Sequence, residues 1–354
     1  MRYLPLLCAL LSVGRAKRGR LLCGVASIAL VAALYAAVPA LAGGAVVSAF
    51  YYPWFGTSPE DGGYDHWAQN GHAPPVDIAS NYYPVYGPYS SSNAAVITAQ
   101  VAEVQRAGIN ELAVSWWGRG SPEDQRLPEI ITAGDQAGIA IAAHIEPYAG
   151  RTVASITADA TYLYSLGIRT IYVYQAFVGM QPADWAPAND ALHAEGLTTF
   201  AQTGLVGQAA TGHFSGIYTY DTVTYGARVL SRLCAEAHAK ALLCAPSVGP
   251  GYDARRAVGD PHVKPRRHGE TYDAMWHAAL AAGADRITIT SFNEWQEGTQ
   301  IEPAASALRL GAYRYFSYDG AWGLHGVAAE DAYLDRTAYW ANLFAKQTAL
   351  KPSP

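Results

Sequence analysis

Short apolar runs recur along the chain at 45–50, 110–115, 139–144, 168–174, 197–202, 216–220, 241–246 and 286–290, each enriched in Val, Ile, Leu, Tyr or Ala. Runs of this length and make-up are strand-like. Between them lie helix-compatible stretches at 94–107, 123–137, 156–166, 184–195, 223–239 and 270–282, and 333–346 supplies a closing helix. Gly108, Gly138, Gly167, Gly196 and Gly283 stand where helices give way to strands, the usual helix stop. Eight strands alternating with helices argue for an α/β chain folded as a single (β/α)8 TIM barrel, with a doubly wound open sheet as the rival. No GxGxxG follows the first strand, which weakens the dinucleotide-binding form of that rival. Neither a linker nor a repeat divides 43–354, so one domain is expected there. The segment 57–92 reads as a long loop rich in Gly, Pro and Tyr. Loops of such length are usually functional or disordered, and its aromatics favour function.

The first 42 residues follow a different pattern. Arg15, Lys17, Arg18 and Arg20 form a basic block, 21–38 is apolar, and Ala40-Leu41-Ala42 matches a small-residue cleavage site. Residues 1–42 are therefore expected to be a signal peptide cleaved after Ala42, or, if uncleaved, a membrane anchor. Either way the product is exported, to be secreted or held at the cell surface. Cys8 and Cys23 fall in this leader, leaving Cys234 and Cys244 either to form one disulfide or to stay as two buried thiols.

Composition narrows the partners. A net charge of -5 and a charged fraction of 15%, with no basic stripe, exclude nucleic acid as an expected partner. Nine Trp and 24 Tyr exceed the needs of a core. Side chains with an apolar face and a hydrogen-bonding edge suit carbohydrate clefts and protein interfaces alike.

In a barrel of this type, residues just after each strand line the active rim. Here those positions carry Tyr51, Tyr52 and Trp54; Trp116 and Trp117; His144, Glu146 and Tyr148; Tyr174 and Gln175; Tyr218 and Tyr220; and lastly Asn293, Glu294, Trp295, Glu297 and Gln300. Glu294 and Glu297, three apart, can face one cleft, where burial and mutual repulsion raise one pKa and leave a proton donor beside a base. Cleavage of a glycosidic bond needs that arrangement. Trp116 and Trp117 alternate faces, so one packs in the wall and the other is free to stack on a sugar. Glu146 is expected to bind substrate hydroxyls or Arg151. His144 beside Glu146 lacks further ligands, so neither a metal nor another cofactor is expected. Ser247 has no GxSxG context.

These residues fall in motifs that resemble glycoside hydrolase family 99: YYPWF at 51–55, YYPVYGPYSS at 82–91, SWWGRG at 115–120, HIEPYAGR at 144–151, PSVGPGY at 246–252 and SFNEWQEGTQIEP at 291–303. The resemblance implies a (β/α)8 barrel that cleaves within α-mannosyl chains, with retention and without metal, through a 1,2-anhydro sugar. It implies Glu294 as base toward the 2-hydroxyl and Glu297 as general acid, with Glu146 binding substrate and Tyr220 beside the acid pair. Two departures stand out: Gln296 replaces a common His, and the SWWGRG loop differs from the usual form. The substrate expected is an α-linked mannan or mannose-containing oligosaccharide. An endo-hydrolase of another α-glycan and a non-catalytic carbohydrate-binding barrel remain the alternatives.

Overall fold

The computed structural model describes residues 44–350, apart from 307. The leader read at 1–42 lies outside these residues.

Nine hydrogen-bonded segments form the main sheet. In chain order they are β1 (Val46–Tyr51), β2 (Glu111–Trp116), β3 (Ala140–Ile145), β4 (Thr170–Val173), β5 (Thr198–Gln202), β6 (Gly216–Tyr218), the two pieces Leu243–Ala245 and Ser247–Val248, and β8 (Arg286–Ile289). The two pieces are one strand, β7, interrupted at Pro246, which has no N–H to give to a ladder. Its first half pairs with β6 and its second with β8, while β8 pairs with β1 in parallel, Val46 opposite Arg286. Every neighbour pairing is parallel and the ring closes, as the strand count predicts.

Helices return the chain between strands: α1 (Ala94–Arg106), α2 (Pro122–Ala137), α3 (Val153–Ser165), α4 (Pro182–Ala194), α5 (Val206–Thr211), α6 (Ala227–His238), α7 (Glu270–Ala281) and the closing α8 (Ala332–Ala349). Local signals start and stop them. Asn93 accepts from the N–H groups of Ala95 and Val96, Ser121 caps α2 with Pro122 behind it, and Thr152 and Ser155 form a reciprocal cap on α3. All five glycines read as helix stops have positive φ. The short α5 carries no such signal and is absent from the sequence reading.

Alternate strand residues fill the barrel. Phe50 lies inside against the rings of His144, Tyr172, Tyr218 and Tyr220, at centroid distances of 4.5 to 5.8 Å. Deeper still, Glu111 accepts from Tyr172 Oη at 2.9 Å and pairs with Arg286 at 3.3 Å, so a buried charge is satisfied across β2 and β8. Cys234 on α6 and Cys244 on β7 form a disulfide, with Cα atoms 5.2 Å apart, which resolves the choice between a bridge and two thiols. The segment 57–92 is packed onto the rim. Trp67 is buried, stacks on Phe55 at 4.1 Å and donates to Tyr89 O at 2.8 Å. Among the described residues no helix is long and apolar enough to cross a membrane.

Candidate active site

The loop leaving β8 carries the candidate acids and is held from several directions. Ser291 Oγ accepts from Glu294 N at 2.8 Å, and Thr299 Oγ1 lies 2.9 Å from that same hydroxyl. Trp295–Glu297 forms one helical turn that ends at Gly298, φ 64°, where a Cβ would meet Asp253 O at 3.2 Å. Only glycine accepts both that backbone and that approach.

This turn brings the carboxyl groups of Glu294 and Glu297 together at the wall of one cavity, close enough to perturb each other. Burial, followed by the charge of Glu297, pushes Glu294 well up from the ordinary carboxylate range, and burial pushes Glu297 up to about 7. Two buried carboxyls that repel each other favour holding one proton between them. Tyr220 Oη donates to Glu294 Oε2 and is itself in contact with Tyr52 Oη, and this bond pulls Glu294 back toward the ionised form. Tyr220 adopts φ 51°, costly for a bulky residue, and two side chains hold it there. Ser247 Oγ accepts from its N–H at 2.7 Å and Thr290 Oγ1 donates to its carbonyl at 2.9 Å.

Two cavities meet at the pair. An inner one of about 150 Å³ is lined by Tyr52, Trp54, Trp117, Glu146, Pro147, Tyr174, Tyr220, Glu294 and Glu297. An outer one of about 340 Å³ shares Tyr174, Tyr220 and Glu297 and adds Asp221, Tyr252, Asp260 and His262, with Thr222, Thr290 and Thr299 among others. Glu297 therefore borders both, whereas Glu294 borders only the inner one.

Of the residues named from sequence, Tyr52, Trp54, Trp117, Glu146, Tyr220, Glu294 and Glu297 come together around the inner cavity. Trp54 stacks on His66 at 4.3 Å, and burial lowers the His66 pKa to about 4, so that ring is neutral at physiological pH. Glu146 accepts from Ser115 Oγ at 2.9 Å. Arg151, offered as its partner, instead donates to the carbonyls of Tyr174 and Gln175. His144 and Tyr218 sit one layer below, buried and 2.8 Å apart, with His144 Nδ1 3.0 Å from Glu146 Oε1.

The remaining residues point away from the inner cavity. Tyr51 is buried in the wall, donating to Gln100 at 2.6 Å, because successive strand residues face opposite ways and Tyr52 takes the inward side. Trp116 is likewise the wall member of its pair, donating to Asp124 at 2.8 Å. Tyr148 leans outward, 2.5 Å from Asp159. Asn293 clamps the backbone of Tyr52, accepting from its N–H at 2.7 Å and donating to its carbonyl at 3.1 Å. Trp295 and Gln300 are fully buried, Trp295 donating to Glu302 at 2.6 Å. Gln296 turns to the segment 57–92 and donates to His66 O at 3.0 Å. Tyr252, in a quoted motif, and Asp221 and Asp260, in none, reach the outer cavity from loops whose composition carries no signal of it.

Known proteins resemble the chain along nearly all of its described length. The profile described as Glycosyl hydrolase family 99 matches residues 44–346. A glycoprotein endo-alpha-1,2-mannosidase-like protein of Danio rerio is 30% identical over 84% of this chain and 78% of its own length. Its Homo sapiens counterpart is 29% identical over 84% and 76%. The solved GH99 endo-alpha-mannosidase of Bacteroides thetaiotaomicron is 29% identical, covers 85% of this chain and 98% of its own, and superposes with a TM-score of 0.76. A barrel whose catalytic-type carboxyl pair follows the last strand, matched by this profile along nearly its whole described length, belongs to glycoside hydrolase family 99 and is a hydrolase of glycosidic bonds.

Proposed function

We propose that this chain is an exported, retaining endo-acting α-1,2-mannoside hydrolase that uses Glu294 and Glu297 through a 1,2-anhydro sugar. The observation that carries the reading is the unequal placement of the pair, with Glu297 bordering both cavities and Glu294 only the inner. An acid that protonates the leaving oxygen must stand between the two sugars, and a base for the 2-hydroxyl must stand with the sugar being attacked. The glycone then occupies the inner cavity and the leaving sugar the outer. The relatives named endo-alpha-1,2-mannosidase-like support mannose as the glycone.

In the first step Glu294 takes the proton of the 2-hydroxyl while O2 attacks C1. The C1–O bond to the leaving sugar breaks and its oxygen takes the proton of Glu297. In the second step Glu297 takes a proton from water, the oxygen of which adds to C1. The C1–O2 bond opens and O2 recovers its proton from Glu294. Two inversions give net retention. The axial 2-hydroxyl of an α-mannoside lies on the face from which this attack must come. In the free site burial favours the proton on Glu294; a bound 2-hydroxyl, donating together with Tyr220, favours charge there and leaves the proton on Glu297.

The test is oligosaccharide release from linear and branched α-mannans by the chain from Gly43 onward, read by mass spectrometry, with anomeric configuration followed by NMR. Short mannose oligomers of retained configuration are expected from wild type and not from Glu297→Gln. Absence of release from every α-mannan refutes the mannoside reading and points to another α-glycan or to a binding barrel. N-terminal sequencing of the exported protein checks the leader: a start at Gly43 means cleavage, an intact leader in the membrane fraction means an anchor.

A further inference from the structure

The outer cavity has a marked imbalance of donors and acceptors. Asp221 and Asp260 both border it, alongside Glu297. Most hydroxyls that could have served a ligand as donors are already committed, those of Tyr174 and Thr222 excepted. Thr224 Oγ1 donates to Asp221 at 2.6 Å, Tyr252 Oη to Asp260 at 2.7 Å, and Thr290 Oγ1 to Tyr220 O at 2.9 Å. What these groups still offer is lone pairs. Asp260 is held well into the ionised range by the N–H of His262 and the hydroxyl of Tyr252. The positive groups nearby are few. Lys264 Nζ donates to Thr222 O, and His262, exposed at the rim, rests its Nδ1 2.6 Å from Asp260. The carboxyl groups of Asp221, Asp260 and Glu297 thus outnumber the one nearby ammonium, that of Lys264, which is already bonded to a carbonyl.

We propose that this cavity selects the leaving group by charge: a leaving sugar bearing a protonated amine is accepted ahead of its neutral counterpart, and one bearing phosphate is turned away. The proposal rests on the assignment of the outer cavity to the leaving sugar. An ammonium donates in three directions and meets acceptors. A neutral hydroxyl donates once. A phosphate has lone pairs only, facing carboxylates, and carries up to two negative charges of its own.

The test uses three oligosaccharides that share one mannosyl glycone and one scissile α-1,2 bond. They differ only at C6 of the leaving mannose, which bears a hydroxyl, an amine or a phosphate. At neutral pH and low salt, kcat/KM is expected to rise about threefold for the amine and fall roughly tenfold for the phosphate. Asp260→Asn and Asp221→Asn each compress that spread. Because Asp221 also accepts from Val223 and Thr224 N–H groups, its variant carries a folding risk, and the wild type in about 0.5 M salt makes the same point by screening. Rates equal within about twofold for all three, or a phosphate that is preferred, overturn the proposal. If none of the three is cleaved, it is the mannoside reading that fails. Calorimetric binding of the three free leaving sugars to wild type then decides the charge proposal. The same order upholds it, and uniform affinity or no binding ends it.

Discussion

Glu302 and the pair Glu294 and Glu297 lie on one loop, within nine residues, and are the same amino acid, yet the fold puts them to opposite uses. Glu302 is fully buried and its oxygens accept from Gln100, Tyr89 and Trp295 at 2.6 to 2.8 Å. Burial pushes its pKa up to about 8 while the three donors pull the other way. Nothing is left with which it could act on a substrate. Glu294 and Glu297 instead face each other and open space, with a single tyrosine donating to Glu294. A carboxyl whose lone pairs are all engaged by fixed donors is architecture. One whose nearest polar neighbour is another carboxyl, at the wall of a cavity, is available for proton transfer.

The contrast can be broken most severely at the pair. Glu297→Gln should lower kcat/KM on an activated or natural glycan about 10³-fold with little change in melting temperature, since removing one of two repelling acids does not unsettle the fold. Glu302→Ala should do the reverse. It strands three buried donors, so a loss of roughly 3 kcal/mol or more is expected in denaturant unfolding, with activity falling only as far as the loop loosens. A stable Glu302→Ala protein would mean that the loop is held by other contacts.

Tyr220→Phe sharpens the comparison by removing the donor from the acting carboxyl. The bond to Tyr220 lowers the Glu294 pKa, so its loss raises that pKa further and less of the base is ionised at neutral pH. The shared proton then sits less often on Glu297, and kcat/KM should fall about tenfold for a shift of one unit. The smallest effect concerns the acid. The proposed mechanism needs one proton on the pair, and the lower of its two ionisations lies near 7, so in wild type kcat/KM should rise as pH passes about 7. Asp221 and Asp260 raise that pKa by their charge, hence Asp260→Asn should move this limb down by a few tenths of a unit. An upward shift would contradict the arrangement described.

Glu302 also marks where reading the chain stops. Its place in the motif is visible, but its partners Gln100 and Tyr89 are 202 and 213 residues away in sequence. Nothing near Glu302 distinguishes it from Glu294. Trp295 is similar: an aromatic between two acids suggests a sugar platform, and the fold instead turns it inward onto Glu302. The Trp residues that do border the inner cavity are Trp117, from the end of β2, and Trp54, brought there from the other end of the barrel sequence by the β1–β8 pairing.

The sequence by itself determined the barrel, since eight apolar runs separated by helices and closed by glycine stops leave few ways to bury every strand. It also determined where the acid pair lies, because three-residue spacing after the last strand is a local matter. Tertiary structure alone decided which member of Tyr51/Tyr52 and of Trp116/Trp117 faces inward. Alternation along a strand sets the two faces apart without saying which meets the axis. It decided that Cys234 and Cys244 pair, because a helix and a strand had first to be packed to a Cα distance of 5.2 Å. It decided, too, the charge of the outer cavity, where Asp221 and Asp260 arrive on separate loops. Such meetings depend on contacts distant in sequence, and no pattern within either loop encodes them.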